Sequence, residues 1–275
     1  MAEAPLLASV VLHAPADAAA YPFTVPAVRA LRRIDFAGPV TFFVGENGSG
    51  KSTVLEALAA AAGLPAIGSA SVSDDATLVP ARQLGAALSL GWRRRTHRGF
   101  FLRAEDFFGF AKFLATTRAE FQRRLEELDF EYVDRSSHAL SLAKGPVRSS
   151  LRDMERRYGV DLDANSHGES FLRVFQQRFV PDGLYLLDEP EAPLSPQSQL
   201  ALLAMVGDMV RQGAQFVIAT HSPILLAFPG AQIVSFDGGE VSEARYDELE
   251  HVRVTRDFLN APERYLRRLL SDGGA

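Results

Sequence analysis

Cysteine is absent from this 275-residue sequence, which excludes disulfides, thiolate metal ligands and cysteine nucleophiles and permits a reducing compartment. No uninterrupted apolar run approaches the roughly 18 residues that a membrane-spanning helix requires. Positive charge is not in excess. Lys and Arg number 29 against 34 Asp and Glu, a net charge of −5, so the chain as a whole is no basic nucleic-acid coat, although a local basic patch remains open. The N-terminal MAEAPLLASVVLHAP has no basic region, and Glu3, His13 and Pro15 interrupt its apolar residues. It reads as a first strand and not as a signal peptide, with the chain expected in the cytoplasm and not inserted in a membrane. Internal repeats and long heptad segments are also missing. What remains is 47% hydrophobic and 23% charged. That excludes a disordered or collagen-like chain, and the length suffices to bury a core without disulfide or metal staples.

Short apolar runs alternate with helical stretches along the chain, which predicts an α/β fold with a parallel or mixed central sheet. Ser9–His13 and Val28–Phe36 carry β-like runs, punctuated by Pro22, Pro26, Gly38 and Pro39. Val40–Val44 (VTFFV), Leu184–Leu187 and Phe216–Ala219 are continuously apolar, as strands covered on both faces must be. Gly99–Ala104 reads as another strand, and Ile233–Asp237 with Glu240–Arg245 as a hairpin around Gly238-Gly239. Helices are expected over Ser52–Ala62, Phe107–Leu128 (with Asp106 as its cap), Leu151–Tyr158, Phe171–Phe179, Leu200–Gln212 and Arg256–Leu270. The Ser-rich stretch 134–150 reads as loop, and residues 63–99 give no clear pattern.

Gly45-Glu46-Asn47-Gly48-Ser49-Gly50-Lys51-Ser52 matches G-x-x-x-x-G-K-[ST] in full, between a buried strand and a helix. Glycines let the backbone curl so that several N–H groups face one hollow, where they bind phosphate oxygens. The following helix aims its positive dipole end at the same point. The pattern assigns Lys51 to the β- and γ-phosphates of a nucleotide and the Ser52 hydroxyl to Mg²⁺. A chance match is the alternative, and the strand–loop–helix context weighs against it.

Two acids end the second buried strand, in Leu184-Tyr185-Leu186-Leu187-Asp188-Glu189-Pro190. Adjacent carboxylates at a strand's end need a partner, because unpaired buried charge is costly. Nucleotide-bound Mg²⁺ supplies one. Asp188 then holds the metal's water shell and Glu189 serves as general base for an attacking water. A solvated strand end that caps the next helix is the bland alternative.

The order of these motifs resembles the ABC-type ATPases, including the soluble branch with SMC, RecF and AAA-like predicted ATPases. The resemblance spans residues ~27–240 and rests on four motifs. GENGSGKST, which extends the loop through Thr53, is similar to the Walker A sequence, and LLDEP to Walker B. Ala219-Thr220-His221-Ser222 resembles the switch segment, which implies that His221 senses the γ-phosphate. Ser166-His167-Gly168-Glu169-Ser170 resembles a degenerate LSGGQ signature, in which Ser166, Gly168 and Glu169 match and Asn165 and His167 depart. FLRAEDFF (Phe101–Phe108), ATHSPIL (Ala219–Leu225) and RDFLNAPERYL (Arg256–Leu266) look like the soluble predicted-ATPase subgroup.

The resemblance implies a single ABC-type head over residues 1–275, with an N-terminal β-subdomain and a helical subdomain at roughly 106–180. It implies ATP and Mg²⁺ as ligands, and an ATP-dependent homodimer in which each signature meets the partner's nucleotide. The family's transport members carry a Gln after the strand that follows Walker A. Here Glu105 occupies the better positional match, either on a metal-bound water or paired with Arg103. The family's D-loop corresponds to Glu191-Ala192-Pro193-Leu194-Ser195-Pro196. Arg93–Arg98 is a candidate nucleic-acid contact, with a solvated face as the commoner reading. Lys51 and Ser166 lie too close in sequence to enclose an SMC-type coiled coil.

Three functions compete on this evidence. The first is a soluble, ATP-gated dimeric ATPase. The second is the nucleotide-binding subunit of an ABC transporter, which the missing Gln and the degenerate signature oppose and co-fractionation with membranes would support. The third is a non-hydrolysing switch, which Glu189 opposes.

Overall fold

The computed structural model describes residues 4–13, 20–67, 79–158 and 167–271. Among them a mixed sheet runs through β10 (Ser242–Glu243), β9 (Gln232–Ser235), β3 (Val40–Val44), β8 (Gln215–Ala219), β7 (Leu184–Asp188), β6 (Gly99–Arg103) and β4 (Ala66–Ile67). All of these pairings are parallel except that of β10 with β9. A smaller antiparallel sheet is formed by β2 (Arg33–Asp35), β1 (Leu7–Leu12) and β5 (Leu88–Trp92). This is the α/β architecture expected from the sequence, with its N-terminal β layer.

Each position of β3, β7 and β8 is buried, which explains the apolar runs Phe42–Val44, Leu184–Leu187 and Phe216–Ala219 within them. Alternate residues serve two cores. Phe43, Leu184, Leu186, Val217 and Ala219 face the core shared with α2 (Lys51–Ala62) and the small sheet. Phe42, Tyr185, Leu187, Phe216 and Ile218 face the core under α6 (His167–Arg178) and α7 (Pro196–Val210). The buried Gln215 amide ties the two sheets together. Its Oε1 accepts from the Leu7 N–H at 2.7 Å, and its Nε2 donates to the Leu7 carbonyl at 3.0 Å.

Several expectations are corrected. Val28–Ala30 belongs to α1 (Pro26–Ala30), where Pro26 at the first turn favours a helix start over a strand. Within 63–99 lie β4, α3 (Val79–Ala86) and β5, the last completing the small sheet through non-local pairing. Asp106 does not cap α4 (Ala104–Glu131). It lies inside the helix and accepts from Arg103 Nε at 2.9 Å. The Ser-rich stretch is mostly helix α5 (Ser137–Tyr158), because Ser136 caps it by accepting the Ala139 N–H at 3.2 Å. Lys144 at 2.5 Å from Asp129 and Arg118 at 3.6 Å from Glu155 hold α4 and α5 antiparallel. The expected C-terminal helix is two, α9 (Glu250–Asn260) and α10 (Pro262–Ser271), since Pro262 cannot continue the ladder of α9. Pro196 opens α7.

Candidate nucleotide site

Parallel strands deliver their C-terminal ends to one edge of the sheet, and four of them release functional side chains there. In register, Phe43 lies beside Ala219, Asp188 beside Ala219, and Val44 beside Ser235. The chain leaves Val44 into the Gly-rich loop, Asp188 into Glu189, Ala219 into Thr220-His221, and Ser235 towards Asp237.

The loop wraps onto the start of α2. Gly50 sits at φ +105°, and a Cβ there would meet Val25 Cγ1 at 2.9 Å, so both conformation and space require glycine. Lys51 is 4% exposed. Its Nζ donates to the carbonyls of Gly45 at 2.6 Å and Glu46 at 3.0 Å, which holds the ammonium over the loop. Burial pushes its pKa down, against the attraction of Glu189, Asp188 and Asp237. Glu46, Asn47 and Gly48 are exposed, Ser49, Ser52 and Thr53 are half-buried, and the Ser49 hydroxyl oxygen is buried with no hydrogen-bond partner.

The Ser52 hydroxyl donates to Asp188 Oδ1 at 3.1 Å. Asp188 is 7% exposed, and burial pushes its pKa up to about 7. The Ser52 hydrogen bond opposes that rise, and the nearby Glu189 and Glu56 carboxylates add to it. Glu189 turns out of β7 with φ +49°, rare for a residue with a side chain, and its N–H donates to the Ala219 carbonyl at 2.9 Å. This turn brings Glu189 Oε1 to 4.0 Å from His221 Nε2. The His221 N–H donates to Glu191 Oε1 at 2.7 Å, while its Nε2 is buried and unpartnered. Burial, and then the Lys51 charge, lower the His221 pKa, so the ring is neutral near pH 7.

Glu105 stands apart. Its side chain is 77% exposed and lies 3.6 Å from Arg103, which also donates to Glu56 at 3.1 Å. Ser166 lies outside the described residues. Gly168 and Glu169 lie in the first turn of α6, which begins at His167, earlier than the apolar pattern suggested. Arg94 pairs with Asp182 and Arg98 donates to the Pro181 carbonyl, so part of the basic run ties the β5–β6 connection to the turn before β7. That connection lies at the sheet edge opposite the Gly-rich loop.

Residue patterns did not single out Asp237, whose Oδ1 accepts the Glu46 N–H at 2.8 Å. The available signal was an acid just after the β9 strand, which becomes informative only once β9 is known to lie beside β3. His251 on α9 was missed too. Its ring stands 6.2 Å from that of His221.

The residues present fit a magnesium–nucleotide complex. The buried, unpartnered Ser49 hydroxyl oxygen suits a phosphate. A carboxylate and a hydroxyl 3.1 Å apart form an oxygen donor pair for a hard cation. No group of three or more His, Cys, Asp or Glu able to hold a metal occurs among the described residues. Mg²⁺ characteristically relies on one or two protein oxygens, with water and phosphate completing its shell.

Residues 27–74 match the AAA domain family. The hemin import ATP-binding protein HmuV of Nocardia farcinica (strain IFM 10152) is 30% identical over 223 residues, which cover 79% of this chain and 70% of that protein. The chain belongs to the ABC-type P-loop ATPases, the class that its fold and motifs define. Among solved structures, cbiO1 from Clostridium perfringens, part of the ABC transporter complex cbiONQ, aligns with a TM-score of 0.45 and 15% identity, covering 95% of this chain and 97% of that one. The Smc head domain from Pyrococcus furiosus, bound to the C-terminal domain of ScpA, aligns with a TM-score of 0.40 and 14% identity, covering 82% and 94%. No helix among the described residues is long and apolar enough to cross a membrane.

Proposed function

We propose that the chain hydrolyses ATP as its magnesium complex, and that ATP joins two copies into a dimer which hydrolysis releases. The observation that carries this reading is the meeting of Ser52 and Asp188 at 3.1 Å, beside Lys51 and in front of Glu189. Residues Gly45 to Thr53 hold the phosphates, with Lys51 facing the β- and γ-groups. Ser52 and Asp188 hold Mg²⁺. When bound, the metal neutralises phosphate charge and polarises the terminal phosphoryl group. Glu189 accepts the proton of the attacking water, and His221, neutral and unpartnered at Nε2, contacts the terminal phosphate. Ser166, together with Gly168 and Glu169 in the first turn of α6, holds the partner's nucleotide.

In this reading residues 1–275 are one ATPase domain with a helical subdomain at roughly 106–180, working in the cytoplasm. The test is phosphate release from MgATP by the purified chain. Release no greater than that of Lys51→Ala contradicts it.

A second reading, the ATP-binding subunit of an importer, is favoured by the similarity to HmuV, which is named for hemin import. Co-fractionation with membranes from a native extract, reversed by removing a permease, would support it. Retention in the soluble fraction supports the first reading.

A further inference from the structure

Helix α9 begins against the nucleotide site, and its second residue is His251. The ring stands edge-on to His221, with 6.2 Å between centroids and 69° between planes. Nε2 of each ring is buried and has no hydrogen-bond partner. Buried imidazole nitrogens are ordinarily bonded, so two neighbouring rings that each carry an orphan Nε2 call for a polar partner. The charges that act on His251 are those of Asp237, which is bonded to the Gly-rich loop, and Lys51. His251 therefore lies beside His221 and within electrostatic reach of the Gly-rich loop. Its neighbour Val252, 2% exposed, packs into the core under α7.

We propose that His251 is a second nucleotide-contacting residue, whose Nε2 donates with His221 to the terminal phosphate of ATP. The inference rests on the ATP reading above. Lys51, Glu189 and His221 mark the end of the site that takes this phosphate, and His251 stands beside them. Burial lowers its pKa, with Asp237 opposing and the Lys51 charge adding to the shift, which favours the neutral imidazole that can donate a hydrogen bond without adding like charge beside Lys51. ADP lacks the γ-phosphate that both rings would meet. Helix α9 thus registers which nucleotide is bound, and α10 follows it directly through Ala261-Pro262.

The test is equilibrium binding of MgAMP-PNP and MgADP to the full chain and three variants. His251→Phe fills the ring's place without a donor. It should weaken AMP-PNP binding by about tenfold or more and leave ADP binding unchanged. His251→Gln retains an N–H near the Nε2 position and should keep most of the AMP-PNP affinity. A packing role gives the opposite order, with Phe tolerated and Gln weakening both nucleotides, and that result overturns the proposal. Wild-type AMP-PNP affinity in His251→Phe, while Lys51→Ala no longer binds, overturns the proposal and leaves the ATP site standing. Undiminished binding by Lys51→Ala overturns the ATP site itself. Should His251→Phe melt below the wild type, ¹⁵N-imidazole spectra of the wild-type protein decide. A His251 Nε2 shift with AMP-PNP and none with ADP supports the proposal, and equal responses overturn it.

Discussion

Ser52 and Asp188 stand 136 residues apart in sequence and 3.1 Å apart in space, the hydroxyl donating to the carboxylate. Their meeting couples the phosphate loop to the neighbouring strands, and it leaves a carboxylate buried among other acids. Asp188 is thereby made costly to ionise until a cation joins it.

That cost has a pH signature. The folded-state pKa of Asp188, about 7, lies above its ordinary 3.8, so the folded chain holds this proton more firmly than the unfolded chain. Its contribution to stability is present below about pH 4 and is lost as pH rises towards 7. Asp188→Asn should lack this slope, melt a few degrees above the wild type at pH 8 without nucleotide, and lose ATP turnover. Thermal melts from pH 5 to 8 check this. Parallel curves for the two proteins would contradict it.

Lys51→Ala removes the buried ammonium that Gly45 and Glu46 hold in place. MgATP affinity and turnover should both collapse while the melting temperature changes little. Titration calorimetry reads the first and phosphate release the second. Wild-type values of both would remove the phosphate loop from the account.

Glu189→Gln retains the size of the side chain and removes its basicity. Turnover should fall by about 10²–10⁴-fold with ATP binding preserved. Unchanged turnover would place the base elsewhere, with His221, 4.0 Å away, the next residue to test.

Gly99→Ala tests the sheet that carries the site. Gly99 has φ +120°, and a Cβ would lie 1.8 Å from the Leu184 carbonyl oxygen. Accommodating it means prising β6 from β7, so a loss of roughly 4 kcal/mol or more is expected. Near-wild-type melting would show that the strands shift at little cost.

The phosphate loop and its supporting strands were legible because β3, β7 and β8 are buried on both faces, which leaves an unbroken apolar run followed abruptly by Gly45, Asp188 or Thr220. Helix α5 was not, because Ser136 and its neighbours signal a loop by propensity, while here Ser136 begins a helix that Lys144 and Glu155 fasten to α4. Asp237 and His251 were illegible for a different reason. Nothing local marks either one, and each acquires its position only when β9 pairs with β3 and α9 brings His251 beside His221.

ATP-driven association is the central claim, and light scattering on Glu189→Gln tests it most directly. The variant binds ATP without consuming it, so the expected mass is that of one chain without nucleotide and of two chains with saturating MgATP. Ser166→Arg added to the same variant should keep the mass at one chain while ATP still binds. A single mass with and without MgATP in Glu189→Gln would contradict the account.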